Sequence, residues 1–389
     1  MRLITVFRKT MREISRDKWM LGLTLAFAPF FVFLYWLWFQ GGSTVYPIAV
    51  INLDQGVQLA NGSVYNAGEE VSAAIRVITY ADGRPLLKVV SVSDQAAAEP
   101  ILRDRGATAF IQIPADFSQT IQAMQAGDRS VTTTITFGGD LSNTYYMIGA
   151  NMALTAVDAY VQQATGQKPL VNYIEKPMGA SATRSEFETY VPGTLIFAVI
   201  LLIFLASMTV AREIETGTLR RLQLTPMTSF DLLGGITVAL LLVGAIASIL
   251  SFLVALALGF HSQGPVWVAI LVSVVASLSV IGLGMVVASL TRSVSQAFVV
   301  ANFPLGLMMF FSGVIFPMPA VKLFTIAGRT ISPYDILPPT HAVVALNKIL
   351  TLGASLGDVA YELTALLVLS VLYFAIGVWL FRRTHLRSM

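Results

Sequence analysis

The chain contains little charge and no thiol. Only 12% of its 389 residues are charged, and it has no cysteine and three histidines. Soluble domains carry about 25% charged residues, so this composition excludes a freely soluble protein, and the high apolar content excludes intrinsic disorder. The missing cysteines exclude disulfides, thiolate zinc sites and a cysteine nucleophile. A net charge of only +3, with scattered cations, argues against nucleic-acid binding.

Long apolar runs take the place of the missing charges. About 20 apolar residues cross a bilayer core. The run 232–291 is too long for one span, but turn residues at 261–265 divide it in two. The sequence therefore predicts an α-helical membrane protein with six transmembrane helices, in the runs 19–39, 191–211, 232–291 (two spans), 293–321 and 363–381. The run 19–39 is too long for a signal-peptide core and lacks a cleavage site, so we interpret it as a retained span.

Basic residues predict which side of the membrane each segment occupies. They cluster in residues 1–18, after the second and fourth spans, and after the sixth. Six spans put both termini on one side, and the positive-inside rule makes that side the cytoplasm. We therefore expect a multi-pass protein of the cytoplasmic (inner) membrane of a prokaryote, with both termini cytoplasmic. Residues 40–189, where acidic residues outnumber basic ones, are then extracytoplasmic.

The external region 40–189 is predicted to be an inserted α/β domain. Strand-like apolar runs alternate with helical stretches, which is typical of helices packed on a sheet. The domain has no histidine and no nucleophile elbow, so we predict neither an enzyme nor a metal site. The predicted strands are 46–53, 86–92, 107–113 and 130–137, and the predicted helices are 69–76, 94–103, 115–126 and 143–164.

Two predicted cytoplasmic segments stand out. Residues 1–18 form a basic amphipathic helix suited to the headgroup layer, although a simple topogenic charge cluster is the alternative. Residues 212–228 lie between the second and third spans and are predicted to form a short helix. Leu219 and Leu222 share one of its faces, and Pro226 ends it. On the residues alone, an ordinary solvated loop is the favoured interpretation of this segment.

The order of motifs along the chain resembles that of ABC type-2 permeases, the membrane subunits of ABC exporters. Segment 212–228 is similar to their coupling helix, with Arg-Glu, a second Glu, Gly-Thr, a leucine-rich turn and Thr-Pro. Further similar segments are 190–193, 311–317, 337–342, 52–56 and 113–118. They cover essentially the whole chain and match the subgroup with a large external domain between the first two spans. The chain departs from the family at Asn347-Lys348, where an arginine is common.

The resemblance implies a six-span half-transporter, divided as 1–18, 19–39, 40–189 and 190–389, with an external re-entrant segment at 318–358. It would pair with a second permease subunit, either another copy or a paralogue, in the lipid bilayer. Two ABC ATPase subunits would bind ATP and Mg, because this chain has no P-loop and needs no cofactor of its own. A periplasmic or cell-wall protein is a further possible partner of the external domain.

The resemblance also implies functional residues. The ATPase-coupling residues would be Glu213, Glu215, Gly217, Thr218, Leu219, Leu222, Thr225 and Pro226. The substrate pathway, between spans two and five, would involve Thr194, Phe197, Ser207, Met208, Asn302, Met308, Phe310 and Phe311. The resemblance also implies export. The uncharged spans and the aromatic-rich fifth span favour a hydrophobic or amphiphilic substrate, such as a lipid, a drug-like molecule or a lipid-linked polymer, over an ion.

Two other functions remain open on the sequence. An ion-coupled secondary transporter needs ionisable groups inside the membrane, and Asp231, Asp358 and Glu362 lie only at span edges. A membrane-anchored sensor or scaffold could use the external domain for binding but has no need of a coupling segment. The coupling-like segment 212–228 therefore favours the ATP-driven permease.

Overall fold

The structure is a computed structural model that describes residues 2–39, 44–59, 62–80, 83–141, 143, 145–167, 185–218, 227–315, 318, 321–326 and 329–386. The chain forms two compact units. The α/β unit comprises residues 42–176, and the membrane bundle comprises residues 1–41 together with 177–389. The α/β unit is therefore inserted into the sequence of the membrane bundle, between residues 41 and 177.

The membrane bundle begins with two helices, α1 (Arg2–Arg16) and α2 (Lys18–Phe39). α1 buries Val6, Thr10 and Ile14, which are four residues apart and therefore share one face. Its cations Arg8 and Arg12 are exposed. α1 is thus an amphipathic helix, whereas α2 is apolar on all sides, as a span in lipid is expected to be.

The α/β unit has a four-stranded sheet in the order β4-β1-β5-β6. β1 pairs in parallel with β4 and β5, and β6 joins antiparallel at the edge. Parallel strands need crossover helices, and these are the helices between the strands. The elements are β1 (Tyr46–Asn52), β2 (Val57–Gln58), β3 (Val64–Tyr65), α3 (Ala67–Arg76), β4 (Leu87–Val92), α4 (Gln95–Arg103), β5 (Ala109–Ile113), α5 (Phe117–Gln125), β6 (Thr136–Gly138) and α6 (Tyr146–Thr165).

The central strand β1 is buried on both faces. Ile48 and Val50 face the core that contains α3, α5 and α6, whereas Ala49 and Ile51 pack with α4 on the other face. A strand covered on both sides is nearly continuous in apolar residues, which is the pattern that made 46–53 recognisable. The predicted strand 130–137 is shorter than expected, because only residues 136–138 pair with β5.

The remainder of the membrane bundle is mostly helical. Span two is formed by α7 and α8, which meet at Leu201. A short hairpin and single helical turns lie between the fifth and sixth spans. The elements are α7 (Glu186–Ile200), α8 (Leu202–Glu215), α9 (Ser229–Ala257), α10 (Val266–Ser289), α11 (Val294–Phe311), β7 (Phe324–Ile326), β8 (Arg329–Ile331), α12 (Pro338–Leu352) and α13 (Ala360–Phe381).

Six helical segments among the described residues are long and apolar enough to cross a membrane. They overlap the six predicted runs, so the structure is mostly helical with six candidate spans, as expected for a multi-pass membrane protein. Spans two and four form the centre of the bundle, because 72% and 61% of the residues in their most apolar 18-residue stretches are buried. Spans one and five have only 11% and 17% buried, so their apolar side chains remain available to other apolar surfaces.

Small residues let the central helices approach one another closely. A Cβ atom at Gly284 of α10 would lie 2.7 Å from the Ala206 Cβ atom of α8. Ser279 of α10 and Ser370 of α13 share a hydrogen bond of 2.6 Å between their hydroxyls. Helices in lipid associate through such small-residue contacts and interhelical hydrogen bonds.

Candidate substrate cavity and coupling region

A large cavity of the membrane bundle lies beside span two. It has a volume of about 430 Å³ and is bordered by α2, α7, α8, α9 and α11. The lining residues that the structure describes are apolar except for Thr24. Phe204 of α8 stacks on Phe298 of α11 at this cavity, with ring centroids 4.9 Å apart. A cavity of this size and composition can hold an apolar or amphiphilic molecule but has no charge to bind an ion.

A second cavity of about 140 Å³ lies between spans one, two and five. Phe31 and Tyr35 of α2 line it together with Thr194 and Phe197 of α7. The Phe31 and Phe197 rings meet edge to face at 5.2 Å between centroids. Gly193 permits a close approach of α7 to the residues that follow α11, because a Cβ atom there would lie 2.4 Å from the backbone oxygen of Val314.

The predicted pathway residues are distributed unevenly around these cavities. Thr194 and Phe197 line the smaller cavity, and Met208 lines the larger one. Ser207 and Met308 are instead fully buried in the bundle core. The remaining three lie on α11: Asn302 donates to the backbone oxygen of Phe298 at 2.8 Å, Phe310 is exposed, and Phe311 stacks on Tyr334.

Span one supplies lining residues that the sequence reasoning missed. Leu23, Thr24 and Phe27 line the larger cavity, and Phe31 lines the smaller one. Leu23, Phe27 and Phe31 are four residues apart, and Thr24 is three residues before Phe27, so all four lie on one side of α2. The aromatic residues in the run 19–39 could have indicated a span that lines a cavity. A span that faces lipid has a similar composition, however.

The last turn of α8 carries the two predicted coupling glutamates. Glu213 is buried and forms an ion pair with Lys9 of α1. Glu215 accepts a hydrogen bond of 2.8 Å from the backbone N–H of Val294, at the start of α11. α8 therefore contacts both α1 and span five through its final carboxylates.

The segment that follows has well-defined ends. Gly217 adopts φ +68°, a left-handed conformation that favours glycine, just after α8 ends. The Thr218 hydroxyl lies 2.9 Å from that of Thr216. α9 begins with a capping box in which Thr228 and Asp231 bond to each other's backbone N–H. Leu219, Leu222, Thr225 and Pro226 lie outside the described residues.

At the other end of the bundle, α12 is linked to span six by a buried ion pair. The Lys348 Nζ atom lies 2.7 Å from Glu362 Oε1, and only 4% of the Glu362 side chain is exposed. Glu362 lies in the first turn of α13, at the edge of the span. Its charge is therefore matched by a lysine from α12, within the predicted segment 318–358.

In the α/β unit, a buried carboxylate lies just beyond the carboxyl end of the central strand β1. Asp54 follows β1 and accepts hydrogen bonds from the backbone N–H groups of Gly68, at 3.0 Å, and Ser118, at 3.0 Å. These groups lie at the starts of α3 and α5, where helix N-termini favour an anion. The position at which many α/β folds bind an anionic ligand is thus occupied by the protein itself.

A phenol pair lies elsewhere in the α/β unit. The Tyr65 and Tyr160 hydroxyls are 2.6 Å apart. Burial, together with this hydrogen bond, raises the pKa of Tyr160. The Tyr160 phenol therefore remains protonated at neutral pH, and the hydrogen bond between the two hydroxyls joins β3 to α6. Among the described residues, no group of three or more His, Asp or Glu side chains is arranged to hold a metal ion.

The described residues form six apolar helices long enough to cross a membrane, and the linings given above for the two cavities contain no charged side chain. This arrangement is typical of a multi-pass membrane protein of the transporter type. A family model, described as "ABC-2 family transporter protein", matches residues 18–379. The chain therefore belongs to the ABC-2 family of transporter proteins and is the membrane subunit of an ABC transporter. Such subunits have no ATPase activity and work with an ABC ATPase partner.

Two curated relatives extend this assignment. The chain is 26% identical over 303 residues to the "Probable multidrug ABC transporter permease YbhR" of Escherichia coli strain K12. The alignment covers 73% of this chain and 76% of the relative. The protein of the same name from Escherichia coli O157:H7 gives the same values. The chain is thus similar over most of its length to multidrug ABC permeases.

Proposed function

We propose that this chain exports hydrophobic or amphiphilic molecules from the cytoplasm or the inner leaflet. The observation that carries the proposal is the 430 Å³ cavity, whose described lining has no charged side chain. An apolar cavity within the spans gains from burying apolar ligand surface but offers an ion nothing to replace its water. The names of the two relatives, which refer to multidrug permeases, agree with such cargo.

The proposed complex contains two permease subunits, either two copies of this chain or this chain and a paralogue. The exposed apolar faces of spans one and five support this arrangement. Phe298, Val299 and Phe303 of α11 are all at least 47% exposed. A partner subunit would cover part of this surface, and lipid would cover the rest. The pathway would then run between span five of one subunit and the cavity beside span two.

The proposed energy source is a pair of ABC ATPase subunits that bind ATP and Mg on the cytoplasmic side. Segment 212–228 would receive their movement, with Leu219 and Leu222 as the contacting residues. In this arrangement both termini are cytoplasmic, in the inner membrane of a prokaryote, and the α/β unit is external. There it would be available to a periplasmic or cell-wall partner.

A pull-down from mild detergent tests the partner. The tagged full chain is purified, accompanying proteins are identified by mass spectrometry, and ATP hydrolysis is measured. We expect an ABC ATPase to accompany the wild type and to be released by Leu222→Asp, because a carboxylate disrupts an apolar contact. A chain that purifies alone, under conditions that preserve known complexes, would contradict the proposal.

Reconstitution tests the cargo and the direction. Vesicles containing the chain and its ATPase are loaded with an amphiphilic fluorescent dye, and ATP-dependent movement is followed in each orientation. Ala247→Phe, which fills the 430 Å³ cavity, should lower transport about tenfold, as misfits in apolar pockets do. Ala375→Phe, on the exposed side of span six, is the matched control and should transport normally. Equal transport by both variants would show that this cavity does not hold the cargo.

A further inference from the structure

The two glutamates at the end of α8 are directed to other parts of the same chain. The Glu213 side chain is 7% exposed and pairs with Lys9, which lies 204 positions earlier in the sequence. Lys9 is also 3.5 Å from Glu13, within its own helix. A carboxylate this deeply buried has little surface left for another protein. The charge of Glu213 is therefore used to fix α1 against the end of span two.

α1 is also fixed to the helix on the far side of segment 216–228. A Cβ atom at Gly235 of α9 would lie 2.6 Å from the Val6 Cβ atom and 2.8 Å from the Leu3 backbone oxygen. Only glycine permits such an approach. α1 consequently contacts the helix that enters the segment, α8, and the helix that leaves it, α9.

Glu215 makes the second connection, to span five. Its Oε2 atom accepts the hydrogen bond from Val294 N–H, the first residue of α11. The Ser293 side chain accepts from the Gln296 N–H in the same turn. The start of α11 is thus capped by its own serine and by a carboxylate from α8. A negative charge at this position is stabilised by the helix dipole.

We infer that Glu213 and Glu215 are positioning residues that distribute the movement of segment 216–228, Glu213 to α1 and span one, and Glu215 to span five. They are not the residues that bind the ATPase. The inference rests on the proposed function, because it assumes that an ATPase moves this segment. It differs from the implication of the family resemblance, which groups both glutamates with the ATPase-coupling residues. Spans one and five border the 430 Å³ cavity, so both connections lead to the site proposed for the cargo.

The test for Glu213 uses the full chain reconstituted with its ATPase. Two quantities are measured: the amount of ATPase bound and the dye transported per ATP hydrolysed. Glu213→Gln and Lys9→Gln should bind the ATPase normally but transport about tenfold less per ATP, a typical coupling effect. Exchanging the charges, with Lys9→Glu and Glu213→Lys together, should restore transport. Arg8→Gln removes an exposed cation from the same helix and is the matched control, with transport unchanged.

Glu215 is tested by comparing two substitutions. Glu215→Gln keeps an oxygen that can accept from Val294 N–H, whereas Glu215→Ala does not. We expect Glu215→Gln to retain most of the transport and Glu215→Ala to lose it, with normal ATPase binding in both. A simple role in ATPase recognition would instead change the amount of ATPase bound.

Because the chain has no cysteine, introduced cysteines can be cross-linked selectively. This measurement tests the contact even if a charge variant fails to fold. In the cysteine-free chain, Lys9→Cys with Glu213→Cys should be joined by a short bismaleimide, and the joined protein should still transport. The pair Arg8→Cys with Glu213→Cys should be joined much less.

Three results would overturn the inference. Loss of the ATPase from Glu213→Gln would make this residue part of the ATPase interface. Normal transport by the single variants, or no recovery on charge exchange, would show that the pair transmits nothing. Failure to cross-link Lys9→Cys with Glu213→Cys would remove the contact itself. A wild-type chain that transports dye without any ATPase would instead overturn the proposed function, and the inference with it.

Discussion

Asp54 of the α/β unit and Glu362 of the membrane bundle are both buried carboxylates, but different groups stabilise them. Asp54 accepts from the backbone N–H groups of Gly68 and Ser118 and from the Ser118 hydroxyl. Glu362 is paired with the cation of Lys348. Neutral donors hold Asp54 within one folded unit, whereas Glu213 and Glu362, the buried glutamates among the described residues of the bundle, each pair with a lysine of another helix. The comparison indicates that buried charge has an internal structural role in the α/β unit and connects helices in the bundle.

The largest expected effect comes from separating the pair in the bundle. Lys348→Met leaves Glu362 buried without its cation, and removing one partner of a buried pair costs about 3–5 kcal/mol. All five tryptophans lie in the bundle, so their fluorescence follows its thermal unfolding. Lys348→Met should lower that transition markedly. Lys322→Met, at an exposed lysine, is the control and should leave it unchanged. Equal shifts would show that burial of Glu362 does not depend on Lys348.

A smaller effect is expected in the α/β unit. Asp54→Ala leaves buried N–H and O–H donors without an acceptor, at a cost of about 3 kcal/mol. The α/β unit should become sensitive to protease at a lower temperature, while the tryptophan signal of the bundle stays the same. Asp94→Ala removes an exposed helix cap and should cost only about 1 kcal/mol. A change in the tryptophan transition would show that Asp54 also stabilises the bundle.

The sequence predicted the six spans because each is a long run without charge. It also predicted the central strand, because burial on both faces makes β1 continuously apolar. The edge strand was overestimated, since β-branched residues at 131–135 favour strand locally but meet no partner among the described strands. Local preference cannot supply a neighbouring strand.

The candidate site was predictable only in part. The family resemblance implied a pathway lined by spans two and five, and three of the residues it implied, Thr194, Phe197 and Met208, line cavities in the structure. Phe31 was missed because aromatic residues in an apolar span look alike whether they face lipid or a cavity. The partner of Glu213 was also hidden, since nothing near residue 213 in the sequence points to Lys9.

The third prediction concerns close approach of helices in the bundle. Gly235→Val places side-chain atoms where Val6 and the Leu3 backbone oxygen already lie. Overpacking of this kind costs about 1–3 kcal/mol, so α1 should separate from α9 and the tryptophan transition should fall. Gly306→Val in α11 is the matched control, because the structure describes no atom within 4 Å of a Cβ atom there.

The same substitution in two helices separates packing from helix preference. Valine is a better helix former than glycine by a few tenths of a kcal/mol, and this difference is the same at both positions. A larger loss at Gly235 than at Gly306 therefore measures the contact between α1 and α9. Equal losses of stability would mean that α1 is held mainly by the ion pair between Lys9 and Glu213. Buried charge would then stabilise this end of the bundle, as we expect of Glu362 at the other end. The double variant Gly235→Val with Glu213→Gln distinguishes these cases: losses that do not add would show that both contacts fix one helix.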